Sequence, residues 1–467
     1  MLSLTKTEIA KILGGKALPH GGDTSSVGVE FDTRLLQKEA LFIALPGDKV
    51  HGHSFVEKAV NDGASLCLVE DESLLLSSPV ADRLIAVPDS LKGLQALGAY
   101  ARQQFRGPVI GVTGTIGKTT TRNILASILS TRGTVNASRK SFNNHIGVPY
   151  TLCNSDSDAD FTVLEMGMNH SGELTLLTKI AQPNIAIITN VTPVHMEFFK
   201  DLHEVADAKC EIFSGLGSEC IGIINGDVPE LVAGVDRAQQ SNAAGLKKWV
   251  VFGSKEGATY RVTRIVDNLT EGFSIEMTGP QQGIVVHVPM IGAYNSTNVV
   301  AAMVVALQVV PDLSQGEVQQ ALDTIKPEAH RLNLLKLGDG REILDDCYNS
   351  SPTALVSALN LLAKCKARGK EIGLVLGGMH EMGDKAEHYH TVVAQEILKL
   401  APSFCFIVGE VGRNFVGPLN GAPFPVTWFA SASEVVEATR AALFDLALVK
   451  GSRGVKLEVL IDALSAQ

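Results

Sequence analysis

The sequence predicts an α/β fold of three domains with mostly parallel sheet. Short apolar runs typical of strands alternate with helical patterns along almost the whole chain, as βαβ units require. The 467 residues leave room for about two to four domains. Breaks at Gly107-Pro108 and Lys326-Pro327 divide the chain. We therefore expect domains over residues 1–107, 108–326 and 327–467.

The alternation begins in the first domain with strand-like runs at 41–45 and 65–70, followed by a helical stretch near 90–105. In the second domain a helix follows the first strand, and another lies near 296–308. The strand-like runs of this domain are 108–114, 161–167, 184–191, 219–225 and 249–253. Residues 258–290 alternate polar and apolar side chains instead, a pattern typical of antiparallel sheet added to a parallel one.

The same alternation restarts in the third domain. Strands are expected at 342–348, 371–378, 404–409, 426–430 and 446–451. Helices are expected near 352–366, 386–399 and 432–443. We find no internal repeat and no low-complexity segment in the sequence. Because the alternation restarts after each break, three α/β domains fit the length better than two.

Composition excludes several classes of protein. The net charge of −10 and the pI near 5.7 argue against a dedicated nucleic-acid binder. The seven cysteines form no CxxC pair, so neither a disulfide framework nor a zinc site is indicated. No uncharged apolar run reaches the roughly 18 residues of a membrane span, and the N-terminus lacks the apolar core of a signal peptide. We expect a cytoplasmic protein with no membrane span and no nucleic-acid partner.

The strongest local motif is a Gly-rich turn between a strand and a helix, Gly111-Val-Thr-Gly114-Thr-Ile-Gly117-Lys118-Thr119-Thr120. Such a turn directs backbone N–H groups and a helix N-terminus at a polyphosphate. Lys118 would neutralise phosphate oxygens, and the Thr119 hydroxyl would bind Mg²⁺. Gly111 stands six residues before Gly117, where the strict phosphate-loop pattern has five, so an ordinary βα turn is the alternative. The sequence contains no guanine-reading NKxD, which favours ATP.

Acidic and imidazole side chains follow the next strands of this domain. Glu165 ends the strand FTVLE, and His195 follows IITNVTP. The carboxyl ends of parallel strands share the ligand-binding edge of a sheet, so both side chains could bind a metal beside the loop. The alternatives are a solvated carboxylate and a surface histidine. Lys209 lies downstream in the helical stretch EVADAKCEIF, where the pattern alone indicates a solvated lysine.

Segments from all three expected domains together resemble the Mur ligases, the ATP-dependent enzymes that add amino acids to peptidoglycan precursors. In the central domain they are GTIGKTTT, LEMGMNHSGEL, ITNVTPVHMEFF and ADAKCEIFSGL. Other segments are similar to signatures of the branch that adds D-alanyl-D-alanine: FDTR (31–34), FIALPGDKVHGHSF (42–55), FNNHIGVP (142–149), LDDCYNSSPTAL (344–355), LGGMHEMG (376–383) and LVKGSRGVKLE (448–458). The sequence lacks the DNPR motif of the neighbouring branch.

The resemblance implies a UDP-binding N-terminal domain, a central P-loop ATPase domain and a Rossmann-like C-terminal domain. The implied reaction joins D-alanyl-D-alanine to UDP-MurNAc-tripeptide. ATP phosphorylates the peptide carboxylate, and the dipeptide amine then attacks the acyl phosphate. Two Mg²⁺ ions are implied, one near Thr119 and Glu165 and the other near His195 and a carbamylated Lys209. We expect a monomer with only small-molecule substrates as partners.

The resemblance also assigns individual residues. Catalysis is expected of Lys118, Glu165, His195 and Lys209, and metal binding of Thr119, Glu165, His195 and Lys209. Nucleotide contacts are expected from Gly114, Thr115, Gly117, Lys118, Thr119, Thr120, Asn295, Asn298, Arg331 and Asp346. Substrate contacts are expected from Thr33, Arg34, Asn143, Asn144, Asn349 and Ser350. Asn295 or Ser296 could also cap the helix that follows.

Several positions depart from the family pattern. Ile116 stands where the family usually has Asn, and a β-branched residue would be strained at positive φ. Gly378 stands where the family has Asp, Tyr294 where it has His, Ser351 where it has Asn and Cys347 where it has Ser. These departures put fine geometry and turnover in question more than the class of reaction.

Three other functions remain open from the sequence. Another amide ligase of the superfamily, such as folylpolyglutamate synthase, would lack the UDP-site-like first hundred residues. A nucleotide-binding homologue without catalysis would be expected to have lost several of five side chains that this sequence keeps: Lys118, Glu165, His195, Lys209 and Asp346. A nucleic-acid-stimulated ATPase would need a basic or aromatic stripe, and the sequence contains none. A form that is open without substrate and closes over the nucleotide is also expected.

Overall fold

The fold comes from a computed structural model of the chain. It describes residues 1–19, 22–47, 50–139, 142–192, 199–214, 216–240, 246, 248–280, 283–325, 329–380 and 382–465. Helices and strands are interleaved throughout this part of the chain, so the α/β prediction is confirmed.

The described residues form twenty-two strands, in chain order: β1 Ser3–Thr5, β2 Lys16–Ala17, β3 Ser25–Val27, β4 Val29–Glu30, β5 Leu41–Ile43, β6 Leu66–Val69, β7 Leu84–Ala86, β8 Val109–Thr113, β9 Val135–Ala137, β10 Phe161–Glu165, β11 Ile185–Ile188, β12 Ile221–Asn225, β13 Lys248–Gly253, β14 Tyr260–Asp267, β15 Phe273–Thr278, β16 Gly283–Val288, β17 Asn333–Lys336, β18 Glu342–Asp346, β19 Ile372–Gly377, β20 Phe404–Val408, β21 Val426–Phe429 and β22 Leu446–Lys450.

Fifteen α-helices lie in the same part of the chain: α1 Lys6–Leu13, α2 Val56–Asn61, α3 Leu74–Ser77, α4 Ser90–Gln103, α5 Lys118–Leu129, α6 Gly147–Asn154, α7 Glu173–Ala181, α8 Leu202–Cys210, α9 Pro229–Gln240, α10 Ser296–Val309, α11 Gln315–Asp323, α12 Pro352–Ala367, α13 Ala386–Leu400, α14 Val435–Ala441 and α15 Glu458–Ser465. None of these described helices combines the length and the hydropathy needed to cross a bilayer.

Three large sheets organise these elements. The first has the strand order β2-β7-β6-β5-β4, the second β16-β15-β14-β13-β12-β11-β8-β10-β9, and the third β17-β18-β22-β19-β20-β21. In the second sheet all neighbours from β9 to β14 pair in parallel. The first and third sheets each carry one antiparallel strand at an edge, β2 and β17. The prediction of mostly parallel sheet is therefore confirmed.

Local sequence explains where these elements begin. The central strands are runs of Val, Ile and Leu that are buried on both faces, as β8 and β11 show, because helices cover both sides of a parallel sheet. Helix α4 begins after Asp89, whose carboxylate accepts the backbone N–H of Lys92 at 2.8 Å. Helix α12 begins after Ser351 with a proline at its first position. Both starts use the N-cap chemistry of helices.

The chain divides into two compact units. The first comprises Met1–Thr263, Glu276–Ile284 and Thr297–Leu322, and the second comprises Arg264–Ile275, Val285–Ser296 and Asp323–Gln467. Within the first unit one hydrophobic core continues from Leu97 of α4 to Val148 and Leu152 of α6. Gly98 permits this packing, since a Cβ there would lie 2.6 Å from Pro149. The domain boundaries expected at 107 and 326 stay predictions.

Candidate active site

The Gly-rich turn lies at the strand-to-helix junction that the sequence predicts. Strand β8 ends at Thr113 and α5 begins at Lys118. Between them Gly114 has φ +153° and Gly117 has φ +80°, a left-handed conformation that glycine adopts at little cost. Thr115 lies in the turn itself, whereas Thr119 and Thr120 lie in the first turn of α5. The turn therefore presents a helix N-terminus at the carboxyl edge of the sheet, where anions bind.

The two residues that follow the neighbouring strand β11 hold this turn in place. The side-chain oxygen of Asn190 accepts the backbone N–H groups of Thr115 and Ile116 at 3.1 and 3.0 Å. The Thr189 hydroxyl donates to the Ile116 carbonyl at 3.1 Å. Lys118 Nζ donates to the Gly114 and Thr115 carbonyls at 2.9 and 3.2 Å. Sequence reasoning missed Asn190, although its place after an apolar strand at the same sheet edge was a usable signal.

Ile116 is accommodated without left-handed strain. Positive φ falls on Gly114 and Gly117, and Ile116 is not among the residues of positive φ. Its side chain is 49% exposed and so needs no packing partner. The prediction of a strained backbone at this β-branched residue is therefore wrong, because Gly114 and Gly117 take the positive φ angles of the turn.

Gly117 has a second constraint besides its φ. A Cβ there would lie 2.0 Å from the side-chain oxygen of Asn298, a buried residue of α10. Among the residues expected to bind nucleotide, Asn298 thus lies directly against the turn.

Gly117→Ala should destabilise the first unit more than Gly172→Ala. Both glycines precede a helix with positive φ, +80° and +89°, so both changes carry a backbone cost of about 1–2 kcal/mol. A Cβ at Gly172 meets no atom within 4 Å, whereas one at Gly117 displaces Asn298 and adds about 1–3 kcal/mol. Thermal unfolding should show about 2–4 °C of additional loss for each further kcal/mol. Equal melting temperatures would refute the steric account.

Glu165 is the buried carboxylate at the end of β10, with 1% of its surface exposed. Thr119 Oγ1 donates to its Oε2 at 2.8 Å, and Asn143 Nδ2 donates to its Oε1 at 2.8 Å. The guanidinium of Arg122 lies 3.4 Å from Oε2. These contacts exclude the alternative of a solvated carboxylate. Thr119 and Arg122 are three residues apart on α5, so they share one helix face.

Arg122 and Ser138 are contacts of Glu165 that sequence reasoning missed. The Ser138 hydroxyl faces the backbone N–H of Glu165, which donates to it at 3.1 Å. Arg122 is itself buried, so the paired charges compensate one another in a region that penalises isolated ions. The three-residue spacing from Thr119 was the available signal for Arg122.

Lys209 is buried on α8, with 3% of its surface exposed. Burial, helped by the neighbouring charge of Lys118, lowers the pKa of Lys209 to about 7. A solvated helix lysine would keep a pKa near 10.4, so that alternative is excluded. His195, which the sequence places in the same site, lies outside the described residues. Its role stays a prediction.

The two expected substrate asparagines after β9 differ in what they contact. Asn143 donates to Glu165, as described, and its backbone carbonyl accepts the N–H of Gly167 at 2.8 Å. The side chain of Asn144 accepts the N–H groups of Ile146 and Gly147 at 3.2 and 2.9 Å. Asn144 therefore shapes the start of α6, while Asn143 orients the buried carboxylate. Their expected contacts with substrate stay predictions.

The expected UDP-site residues Thr33 and Arg34 lie in the turn after β4. Arg34 is bound to Asp32, with Nε 2.8 Å from Oδ1, and its side chain is 83% exposed. Hydrogen bonding from Arg34 lowers the pKa of Asp32. The guanidinium is therefore held by a charged neighbour yet open to solvent, and its expected contact with UDP stays a prediction.

Asp346, Arg331, Asn349 and Ser350 lie together in the second unit. The ammonium of buried Lys450 binds the Asp346 carboxylate and donates to the Asn349 carbonyl at 3.0 Å. Burial raises the pKa of Asp346, and the Lys450 charge partly opposes this. The Arg331 guanidinium lies 4.3 Å from the centre of the Tyr348 ring. Lys450 belongs to the family-like segment 448–458, but the sequence alone did not predict its contact with Asp346.

The other second-unit positions are also accounted for. Asn295 donates to the Ile291 carbonyl at 3.3 Å, directly before α10 begins at Ser296. Asn349 Oδ1 accepts the N–H of Ser350 at 2.8 Å. Gly378 has no room for the aspartate of the family pattern, since a Cβ would lie 2.5 Å from the Val411 side chain. That departure follows from packing.

Family models match most of the chain. The Mur ligase family catalytic domain matches residues 26–103, the Mur ligase middle domain matches 112–306, and the Mur ligase glutamate ligase domain matches 330–453. The phosphate-loop geometry, the buried carboxylate and the three α/β sheets are what such a ligase needs. The chain belongs to the Mur ligase family.

Its relatives point to one branch of that family. The UDP-N-acetylmuramoyl-tripeptide–D-alanyl-D-alanine ligase of Bacillus subtilis is 32% identical over 99% of both chains, and that of Escherichia coli is 29% identical over 99% of both chains. Among solved structures, MurF from Acinetobacter baumannii has a TM-score of 0.84 at 25% identity, covering 100% of this chain and 99% of its own. MurF ligase from Thermotoga maritima in complex with ADP has a TM-score of 0.79 at 23% identity, covering 94% and 97%.

Proposed function

We propose that this chain is an ATP-dependent ligase that joins D-alanyl-D-alanine to UDP-MurNAc-tripeptide. The observation that carries the proposal is the Glu165 site beside the phosphate loop, in a chain whose relatives of matching length share that activity by name. The family match at residues 26–103 opposes the folylpolyglutamate synthase alternative, which would lack this domain. A cytoplasmic location, where nucleotide-linked precursors are made, and a monomeric state belong to the same proposal.

The chemistry requires activation because a carboxylate is a poor electrophile. Phosphoryl transfer from ATP makes an acyl phosphate, and the dipeptide amine displaces phosphate to form the amide bond. Catalysis of such transfers is mostly positioning and charge neutralisation. Lys118 would neutralise phosphate oxygens, and the N–H groups at the start of α5 would orient them.

The residues around Glu165 suit a magnesium ion. The Thr119 hydroxyl and the Glu165 carboxylate are hard oxygen donors 2.8 Å apart, the type of ligand that Mg²⁺ prefers. A bound Mg²⁺ would supply charge neutralisation for the phosphates. Arg122 and Asn143 would keep the carboxylate oriented toward it. A second ion near His195 and Lys209 stays part of the proposal.

Carbamylation of Lys209 is the finer part of the proposal, supported by burial. A neutral amine can attack CO₂: the N–C bond forms, one proton leaves the nitrogen for solvent, and a carbamate of charge −1 remains. Most lysines are protonated at neutral pH and cannot react. Lys209, with its pKa near 7, would be half neutral there. A carbamate would also replace the repulsion between Lys209 and Lys118 by an attraction.

Lys209→Ala should lower ligase activity about 100-fold, and millimolar short carboxylates should partly restore it. Wild-type enzyme freed of CO₂ should regain activity when CO₂ is added. At equal dissolved CO₂, activity should return roughly 10-fold faster at pH 8 than at pH 6, because a larger fraction of the Lys209 amine is neutral above its pKa. Activity of Lys209→Ala equal to wild type would remove Lys209 from the mechanism.

Phosphate release with the substrates varied one at a time tests the proposed function. Rapid release should require ATP, Mg²⁺, UDP-MurNAc-tripeptide and D-alanyl-D-alanine together. Replacing the UDP-peptide by a folate with glutamate should give no release. ATP turnover that ignores both the UDP-peptide and the dipeptide would contradict the proposal, and absence of any turnover would favour a homologue without catalysis.

A further inference from the structure

The backbone on both sides of Arg331 has an unusual conformation. His330 has φ +64° and Leu332 has φ +52°. Among the described residues, these are the only two non-glycine residues of positive φ that stand two positions apart. Left-handed backbone is unfavourable for residues with a Cβ and persists where surrounding contacts impose it. The surroundings of this segment must therefore supply such contacts.

The turn after β18 supplies such contacts. His330 Nδ1 donates to Asp345 Oδ2 at 2.9 Å. The backbone N–H of Tyr348 donates to the His330 carbonyl at 3.0 Å. Burial raises the pKa of Asp346, and the nearby backbone of Leu332 is among the groups that oppose this shift. The Asp345 carboxylate and the Tyr348 backbone thus hold His330, the residue before Arg331.

The Asp345 carboxylate contacts both His330 and Cys347. Its side chain is 4% exposed, so it is not available to a ligand in solution. Besides His330, it accepts the backbone N–H of Cys347 at 3.4 Å. Leu332 is buried in the same core as Leu344 and Leu355, which fixes the far end of the segment. Between His330 and Leu332, the Arg331 guanidinium lies over the Tyr348 ring, 4.3 Å from its centre.

We propose that the His330–Asp345 pair is a positioning device that sets the direction of Arg331 for its work on the transferred phosphate. Asp345 holds the imidazole, the imidazole holds the left-handed backbone, and that backbone directs the guanidinium over Tyr348. His330 and Asp345 are positioning residues and touch no substrate. The inference rests on the proposed function, because that function gives Arg331 a phosphate to contact.

Substitutions at His330 separate the hydrogen bond from the backbone strain. His330→Ala loses the donor, and His330→Gly loses it while relieving the strain. Both should lower kcat roughly 10- to 100-fold with the KM for UDP-MurNAc-tripeptide within about twofold of wild type. His330→Asn tolerates left-handed φ and carries an amide donor for Asp345, so it should recover most of the loss. His388→Ala, which removes an exposed histidine of α13, is the matched control and should match wild type.

A double-mutant cycle with Arg331→Ala tests whether His330 acts through that arginine. If it does, His330→Ala should change kcat less than about twofold in the Arg331→Ala background, since non-additivity marks residues that act as a unit. Additive losses, or a His330→Gly variant as active as wild type, would overturn the proposal. If wild-type enzyme joins the two substrates and His330→Ala has the same kcat, this inference fails and the proposed function stands. Wild-type enzyme without ligase turnover would defeat the proposed function.

Discussion

Lys118→Ala should reduce ligase kcat on the order of 10²–10³-fold, the loss expected when one preorganised charge-stabilising group is removed. Lys118 begins α5, and its ammonium lies 2.9 Å from the Gly114 carbonyl inside the turn. In the proposed function its charge would neutralise the phosphates of ATP. Alanine is a good helix former, so α5 should keep its start. The measurement is steady-state phosphate release with both substrates saturating.

Lys179→Ala is the matched control, because Lys179 lies on the exposed side of α7 in the same unit. It should leave kcat unchanged. The affinity of Lys118→Ala for UDP-MurNAc-tripeptide, measured by calorimetry, should stay close to that of wild type. The substitution removes a proposed contact with the nucleotide and none with this substrate. Unchanged turnover in Lys118→Ala would mean that the turn is an ordinary βα connection, as the imperfect glycine spacing allowed.

Glu165→Gln should lower kcat by a similar factor and raise the Mg²⁺ concentration needed for half-maximal rate. Glutamine preserves the size of the side chain, but its one carbonyl oxygen can accept from only one of Thr119 and Asn143, which donate at 2.8 Å to different oxygens of the carboxylate. It removes the negative charge, which is the property a hard cation requires. The Mg²⁺ titration distinguishes this from a folding defect, since a merely structural loss would leave the Mg²⁺ requirement where it was.

Glu57→Gln, an exposed position of α2, controls for the change from carboxylate to amide and should match wild type in both rate and Mg²⁺ requirement. Glu165→Gln also removes the negative charge that faces the buried Arg122, which is itself destabilising. Thermal unfolding of both variants should accompany the kinetics. A Glu165→Gln enzyme with wild-type kcat and Mg²⁺ requirement would exclude Glu165 from the metal site.

Much of the fold was accessible from local patterns because parallel strands are continuous apolar runs. The run at 161–167 contains β10, and the run at 446–451 contains β22. Short elements such as β2 and β4, each of two residues, carry too little periodicity to be recognised. The continuity of the core between α4 and α6 was also inaccessible, because it depends on a contact between Gly98 and Pro149, which are 51 positions apart.

The site divides in the same way. Gly114, Gly117 and Lys118 are adjacent in sequence, so a motif can reveal them. The contacts of Glu165 with Arg122 and Asn143 join three separate segments and are invisible to any local pattern. Lys209 shows most clearly what a local pattern cannot predict. The sequence of its helix indicates a solvated lysine, and only the fold reveals that the side chain is buried. The role that the family resemblance implies for Lys209 stays a prediction.

The identity of the product is the most direct test of the proposed activity. The purified chain is incubated with ATP, Mg²⁺, UDP-MurNAc-tripeptide and D-alanyl-D-alanine, and the products are separated and weighed by mass spectrometry. We predict a UDP-MurNAc-pentapeptide, heavier than the tripeptide by one dipeptide less one water, formed in equal amount to ADP and absent without ATP. ADP formed in the presence of both substrates with no pentapeptide, or with a single amino acid added instead, would contradict it.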